Sequence, residues 1–132
     1  MMPQGSELAE RIVGEWVSFW NTYDLQLVEK LFLTDARVSY FSSEKQGVIR
    51  GIDALRQHHE GFGFVSGGKA HGNRLWLEDL HADVFGPVTI VTAIWHFQRQ
   101  GSDSVQKGPV TLVYAQDGTG YRIAHGHFAN YA

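Results

Sequence analysis

Two histidines two positions apart, His125 and His127, are the side chains of this sequence best suited to moving a proton. Period two in a strand puts both on one face. An imidazole with a pKa of about 6.5 works as acid or base near neutrality. Tyr40 is expected to share that task or to orient a carbonyl. The competing reading makes the two histidines structural groups, bonded to backbone or to each other. A His-x-His pair with His71 or His59 nearby also outlines part of a metal site. No carboxylate pairs with it, so the expectation is no metal and no cofactor. His58 and His59 are adjacent on a helix, so no more than one of them points inward. His81 and His96 read as surface or interface residues. The chain has no cysteine, which excludes thiol nucleophiles, disulfides and Cys-ligated zinc.

The elements that must position these groups can be read from periodicity. Leu8, Ile12, Trp16, Phe19, Trp20 and Tyr23 recur at three and four, one stripe of a helix with Ser6 as its N-cap and Glu7 and Glu10 in its first turn. Asn21 and Thr22 break it. Asp24 offers the cap for a second helix with Leu25, Val28, Leu31 and Phe32 on its face. A short strand follows over 35–41. A third helix begins at 51–59, with Ile52, Leu55, His59 and Phe62 as its stripe and Asp53 as a cap. Four strands then meander over 73–81, 87–99, 108–116 and 121–131, the last two joined by the turn Asp117-Gly118-Thr119-Gly120. The fold class is α+β: three N-terminal helices on one face of a curved, mostly antiparallel sheet. The run Gly61–Gly68 reads as a loop whose glycines permit hinge motion, and whether it is a lid stays open.

With 132 residues the chain fits one domain, 1–132, and needs no covalent staple. The net charge is -3 and nothing basic is clustered, so no nucleic-acid partner is expected. The first ten residues lack the basic and apolar regions of a signal peptide, and the longest apolar run is far too short to cross a membrane. The expectation is a cytoplasmic protein with no membrane partner. In Val88–Phe97 both alternation classes are largely apolar, so both sheet faces are covered: one by helices, the other by a second copy of the chain in a homodimer.

Three stretches carry a family resemblance. They are Trp20-Asn21-Thr22-Tyr23-Asp24-Leu25, then Leu33-Thr34-Asp35-Ala36-Arg37-Val38 with Gly51-Ile52-Asp53-Ala54-Leu55, and Gly108–Tyr114 through Gly120–Phe128. In this order they resemble the NTF2-like superfamily, the cystatin-like cone fold, and within it the SnoaL-like and ketosteroid-isomerase-like branch. The last stretch also resembles the association domain of calcium/calmodulin-dependent kinase. The resemblance covers nearly the whole chain. It implies a cavity between helices and concave sheet, with Tyr121, Ile123, His125 and His127 on the concave face. It implies walls from Trp16, Phe19, Trp20, Tyr40, His59, Phe62, His71, Trp95, Phe97, Leu112 and Tyr114, suited to a small apolar or aromatic ligand.

The superfamily hosts many chemistries, so the fold implies no single one. The ketosteroid isomerase set is absent: its helix tyrosine falls at Trp16, its base at Tyr40 and its second acid near Leu112. The scytalone dehydratase pattern matches at Tyr40 and near His71, but its acid falls at Asn21. Two readings stay open. One is a cofactor-free isomerase, cyclase or dehydratase using His125, His127 and Tyr40. The other is a non-catalytic module for dimerisation or ligand carriage.

Overall fold

The computed structural model describes residues 4–118 and 120–131, with side chains from Glu10 onward. Helix α1 (Gln4–Thr22) carries the expected aromatic stripe, and Trp16, Phe19 and Trp20 are buried against the sheet. The capping expected of Ser6 lies outside the described side chains. At Tyr23 the chain leaves the helix through a left-handed backbone, φ 56°, a conformation a bulky side chain adopts only under tertiary constraint. Asp24 then caps as expected, accepting from the Gln26 N–H at 3.1 Å. It opens a single 3-10 turn (Leu25–Leu27) that runs into a one-turn helix α2 (Val28–Leu31).

Strand β1 (Ser39–Phe41) pairs with β2 (Ile49–Arg50), a two-residue strand that carries no readable period, before α3 (Ile52–Gly61). Asp53 sits inside the first turn of α3, while Gly51 holds the cap position and Arg56 binds both Asp53 and Glu29. The long strands are β3 (Arg74–Phe85), β4 (Val88–Gln98), β5 (Val105–Asp117) and β6 (Gly120–Phe128). One sheet results, in the order β2-β1-β6-β5-β4-β3. All pairings are antiparallel except β1 with β6. Register breaks between Glu78 and His81 and between Val113 and Tyr114 bend the sheet around the helices.

Asn21 ties the layers together. Its amide donates to the carbonyls of Val17 and Leu75 and accepts the Leu75 N–H, clamping α1 to β3. The glycine-rich run is strapped down rather than free. Val65 exchanges backbone hydrogen bonds with Tyr23 and Leu25, Lys69 donates to the Thr22 carbonyl, and Gly67 donates to the Asp24 carboxylate. Gly68 lies so close to the Thr22 carbonyl oxygen that a Cβ there would sit at 2.7 Å from it.

Candidate functional site

The register settles where the paired histidines point. Tyr40 sits opposite Gly126, and a Cβ on Gly126 would meet the Tyr40 ring at 2.9 Å, so both face the helices. The neighbouring pairs, Ser39 with His125 and Phe41 with His127, therefore face the other way. His125 and His127 lie on the outer, convex face of the sheet, not on the concave face expected for them. The reason is a bulge. Tyr114 pairs with Ile123 but Val113 pairs with His125, which leaves Ala124 as an extra residue and reverses the alternation. Ile123 remains inside, fully buried. His125 is held by Ser39, Oγ to Nδ1 2.7 Å, and both imidazoles rest on Phe41. Partial burial, with repulsion from His127 and Arg50, holds His125 below the ordinary imidazole pKa.

On the inner face a pocket of about 90 Å³ opens between the C-terminal part of α1, α3 and the sheet. Trp20, Tyr40, Phe62, Trp95 and Phe97, all expected as walls or site residues, line it together with Leu75 and Phe128. Its polar groups are Tyr23, Ser42, Ser43, Glu44, His58, Asn73, Arg99 and Gln106. Trp95 is a fixed wall, because its indole N–H donates to the Ala129 carbonyl at 2.9 Å. Tyr23 is fixed as well: its ring stacks on Phe64 at 4.5 Å, and its hydroxyl accepts from the Asn73 amide.

The other expected wall residues do not reach this pocket. Trp16, Phe19, His59 and Leu112 are buried in the core. Tyr114 is buried too and donates toward the Ile12 carbonyl, on the side of a separate groove between α1 and the β5–β6 hairpin. His71 lies against the Tyr23 ring at 3.7 Å and accepts the Asn73 N–H at Nδ1, outside the pocket.

Of the adjacent histidines, His59 is the fully buried one. Its Nδ1 donates to the Leu55 carbonyl at 2.9 Å, and desolvation pushes its pKa down to about 3. His58 is the one on the pocket wall. Its Nε2 is buried without a partner, and so is the indole nitrogen of Trp20. Desolvation, with the charge of Lys45, holds His58 below its ordinary pKa and therefore neutral. Tyr40 packs 5.6 Å from His58, ring to ring, and its burial pushes the phenol pKa upward, so it stays protonated. The pocket thus offers a neutral imidazole and a protonated phenol side by side in an aromatic chamber. Among the described residues no three His, Cys, Asp or Glu side chains come together as a metal-ligand set. No helix is long and apolar enough to cross a membrane.

This arrangement of helices wrapped by a curved sheet is the NTF2-like, cystatin-like fold, an α+β cone. Three solved structures illustrate the likeness. A candidate dehydratase of the NTF2-like family from Streptomyces avermitilis superposes with a TM-score of 0.82 at 17% identity, covering 99% of each chain. A CaMKII hub from S. rosetta gives 0.75 at 18% identity, covering 95% of each. A candidate ketosteroid isomerase from Parabacteroides distasonis gives 0.71 at 20% identity, covering 91% of this chain and 85% of that one. The sequence matches no protein-family model and no curated protein.

Proposed function

We propose that the chain binds a small, largely apolar metabolite in the pocket beside α3 and acts on it by cofactor-free acid–base chemistry, as an isomerase, cyclase or dehydratase. The observation that supports this best is the pairing of Tyr40 with His58, whose Nε2 is buried and unpartnered. A protonated phenol donates to a carbonyl oxygen, and a neutral imidazole with its proton on Nδ1 accepts at Nε2. The proton on the α-carbon passes to Nε2 while the electron pair moves onto the oxygen held by Tyr40. Return of the proton at another carbon completes an isomerisation, and loss of a β-hydroxyl as water completes a dehydration. The dehydratase and isomerase candidates among the structural neighbours fit this reading.

The reading is tested by α-proton exchange of a small cyclic ketone such as cyclohexanone in D₂O, followed by NMR. The expected result is acceleration by the native chain and a loss of about 10²-fold in Tyr40→Phe and in His58→Gln. Binding of the ketone without acceleration overturns the catalytic reading.

One observation favours the alternative, a ligand carrier or dimerisation module: the pocket is small, and Trp16, Phe19 and Tyr114 fill the rest of the interior. Under either reading we propose a homodimer formed through the outer sheet face. Ile90, Ile94 and Val113 form an apolar strip there, and the structural neighbours include a CaMKII hub.

A further inference from the structure

We propose that the ligand is a ring compound carrying a carboxylate, with the ring against the wall that Trp20 and Phe62 form and the carboxylate on Arg99 at the pocket mouth. This rests on the pocket reading above and gives it a substrate class. Arg99 follows the last residue of β4 and lines the pocket. Its guanidinium lies over the Phe97 ring at 5.4 Å, which fixes the plane of its donors next to the aromatic walls. Its one acidic neighbour among the described residues is Glu44 at 3.9 Å, beyond hydrogen-bond reach and at the outer limit of an ion pair. The fork of N–H groups is therefore uncommitted, and a carboxylate is the group whose two oxygens match it.

Charge supports the same ligand. The chain is acidic overall, at -3, yet the charged groups of the lining are one anion and one cation, Glu44 and Arg99. The pocket is thus less anionic than the chain as a whole, and Arg99 is the charge in it that attracts an anion. Inside, the walls have no charge to repel or neutralise a ring. Trp20 meets Phe62 edge to face at 5.8 Å, so the two rings touch and form one continuous aromatic wall. A ligand anchored by its carboxylate at Arg99 extends its opposite end toward Tyr40 and His58.

The probes are benzoate, benzyl alcohol and benzylammonium, titrated at fixed low salt with calorimetry as readout and, as a second measure, the intrinsic tryptophan fluorescence to which Trp20 and Trp95 of the lining contribute. Benzoate is expected to bind about tenfold more tightly than benzyl alcohol, the equivalent of about 1.4 kcal/mol. Arg99→Gln is expected to erase that lead while leaving benzyl alcohol unchanged. Arg99→Lys keeps the charge without the fork and should retain only part of the lead. Glu44→Gln should enlarge it. Arg99 is half-exposed, so these variants spare the core. Equal binding of benzoate and benzyl alcohol, preference for benzylammonium, or a lead that survives Arg99→Gln overturns the carboxylate inference and leaves the pocket standing. Binding of none of the three overturns both.

Discussion

Tyr40 and Gly126 are partners across the β1–β6 pair, and the phenol ring occupies the space where a side chain on Gly126 would be. The absent side chain lets the ring lie flat on the sheet and reach His58. Gly126→Ala puts a methyl group 2.9 Å from two ring carbons, so Tyr40 must move. Overpacking of this kind costs about 1–3 kcal/mol. The expected outcome is a lower urea midpoint together with weaker ligand binding, and an unchanged midpoint would show that the ring is not held there.

His59 makes folding sensitive to acid. It is neutral in the folded chain, with a pKa of about 3 set chiefly by desolvation, against about 6.5 when unfolded. Between those values the unfolded chain binds the extra proton. Its contribution is therefore complete above pH 6.5 and is lost as pH falls, at about 1.4 kcal/mol per unit. Urea melts at pH 6.5, 5.5 and 4.5 should show a shallower acid slope in His59→Phe than in the native chain. Parallel slopes would mean that His59 is reached by water.

The helices and long strands were legible in the sequence because their signals are local. The stripe from Ile12 to Tyr23 is a spacing within one element, and Asp24 caps the turn it immediately precedes. The facing of β6 was not legible, because one extra residue at Ala124 reverses a period-two count without any marker in its composition. The pocket was half legible. Trp20, Phe62, Trp95 and Phe97 lie where inward aromatic residues meet the gap, but inward facing alone cannot separate a wall such as Trp95 from a core filler such as Leu112. His58 was hidden behind His59, since adjacency on a helix says that one of them points inward and not which. Arg99, Gln106 and Phe128 are brought together with Ser42 and Glu44 only by the sheet order, which is a long-range property.

Asp24 does two things at once: one carboxylate oxygen accepts from Gln26 in the turn it caps and from Gly67 in the glycine-rich loop, 2.8 Å away. Asp24→Ala removes both bonds, and loss of such a cap costs about 1 kcal/mol. Amide hydrogen exchange should rise at Gly67, which loses its acceptor, and at Val65 and Lys69, whose backbone bonds close the same strap, while β4 and β5 keep their protection. If exchange stays unchanged across 61–70, the loop is held by its backbone bonds alone. If it rises there and ligand affinity at the neighbouring pocket changes with it, the loop acts on the site as well as on stability.

The outer sheet face yields a prediction that leaves the pocket out of account. Ser39, His125, Val113, Ile90 and Asp83 run across five strands in one row, with Thr92 and Ile94 following along β4. Val113 and Ile90 are half-buried even in a single copy, and a second copy laid against them would remove both from water. In a monomer Ile90→Asp costs about 1 kcal/mol, because the new carboxylate is half-exposed and stands opposite Asp83. In a packed interface it would be a desolvated charge without a partner, a penalty of several kcal/mol. Sedimentation of the native chain at micromolar concentration should give a dimer, and Ile90→Asp a monomer with an unchanged circular dichroism spectrum and undiminished benzoate binding. A native monomer removes the dimer proposal, and a dimer that survives Ile90→Asp moves the interface to another face.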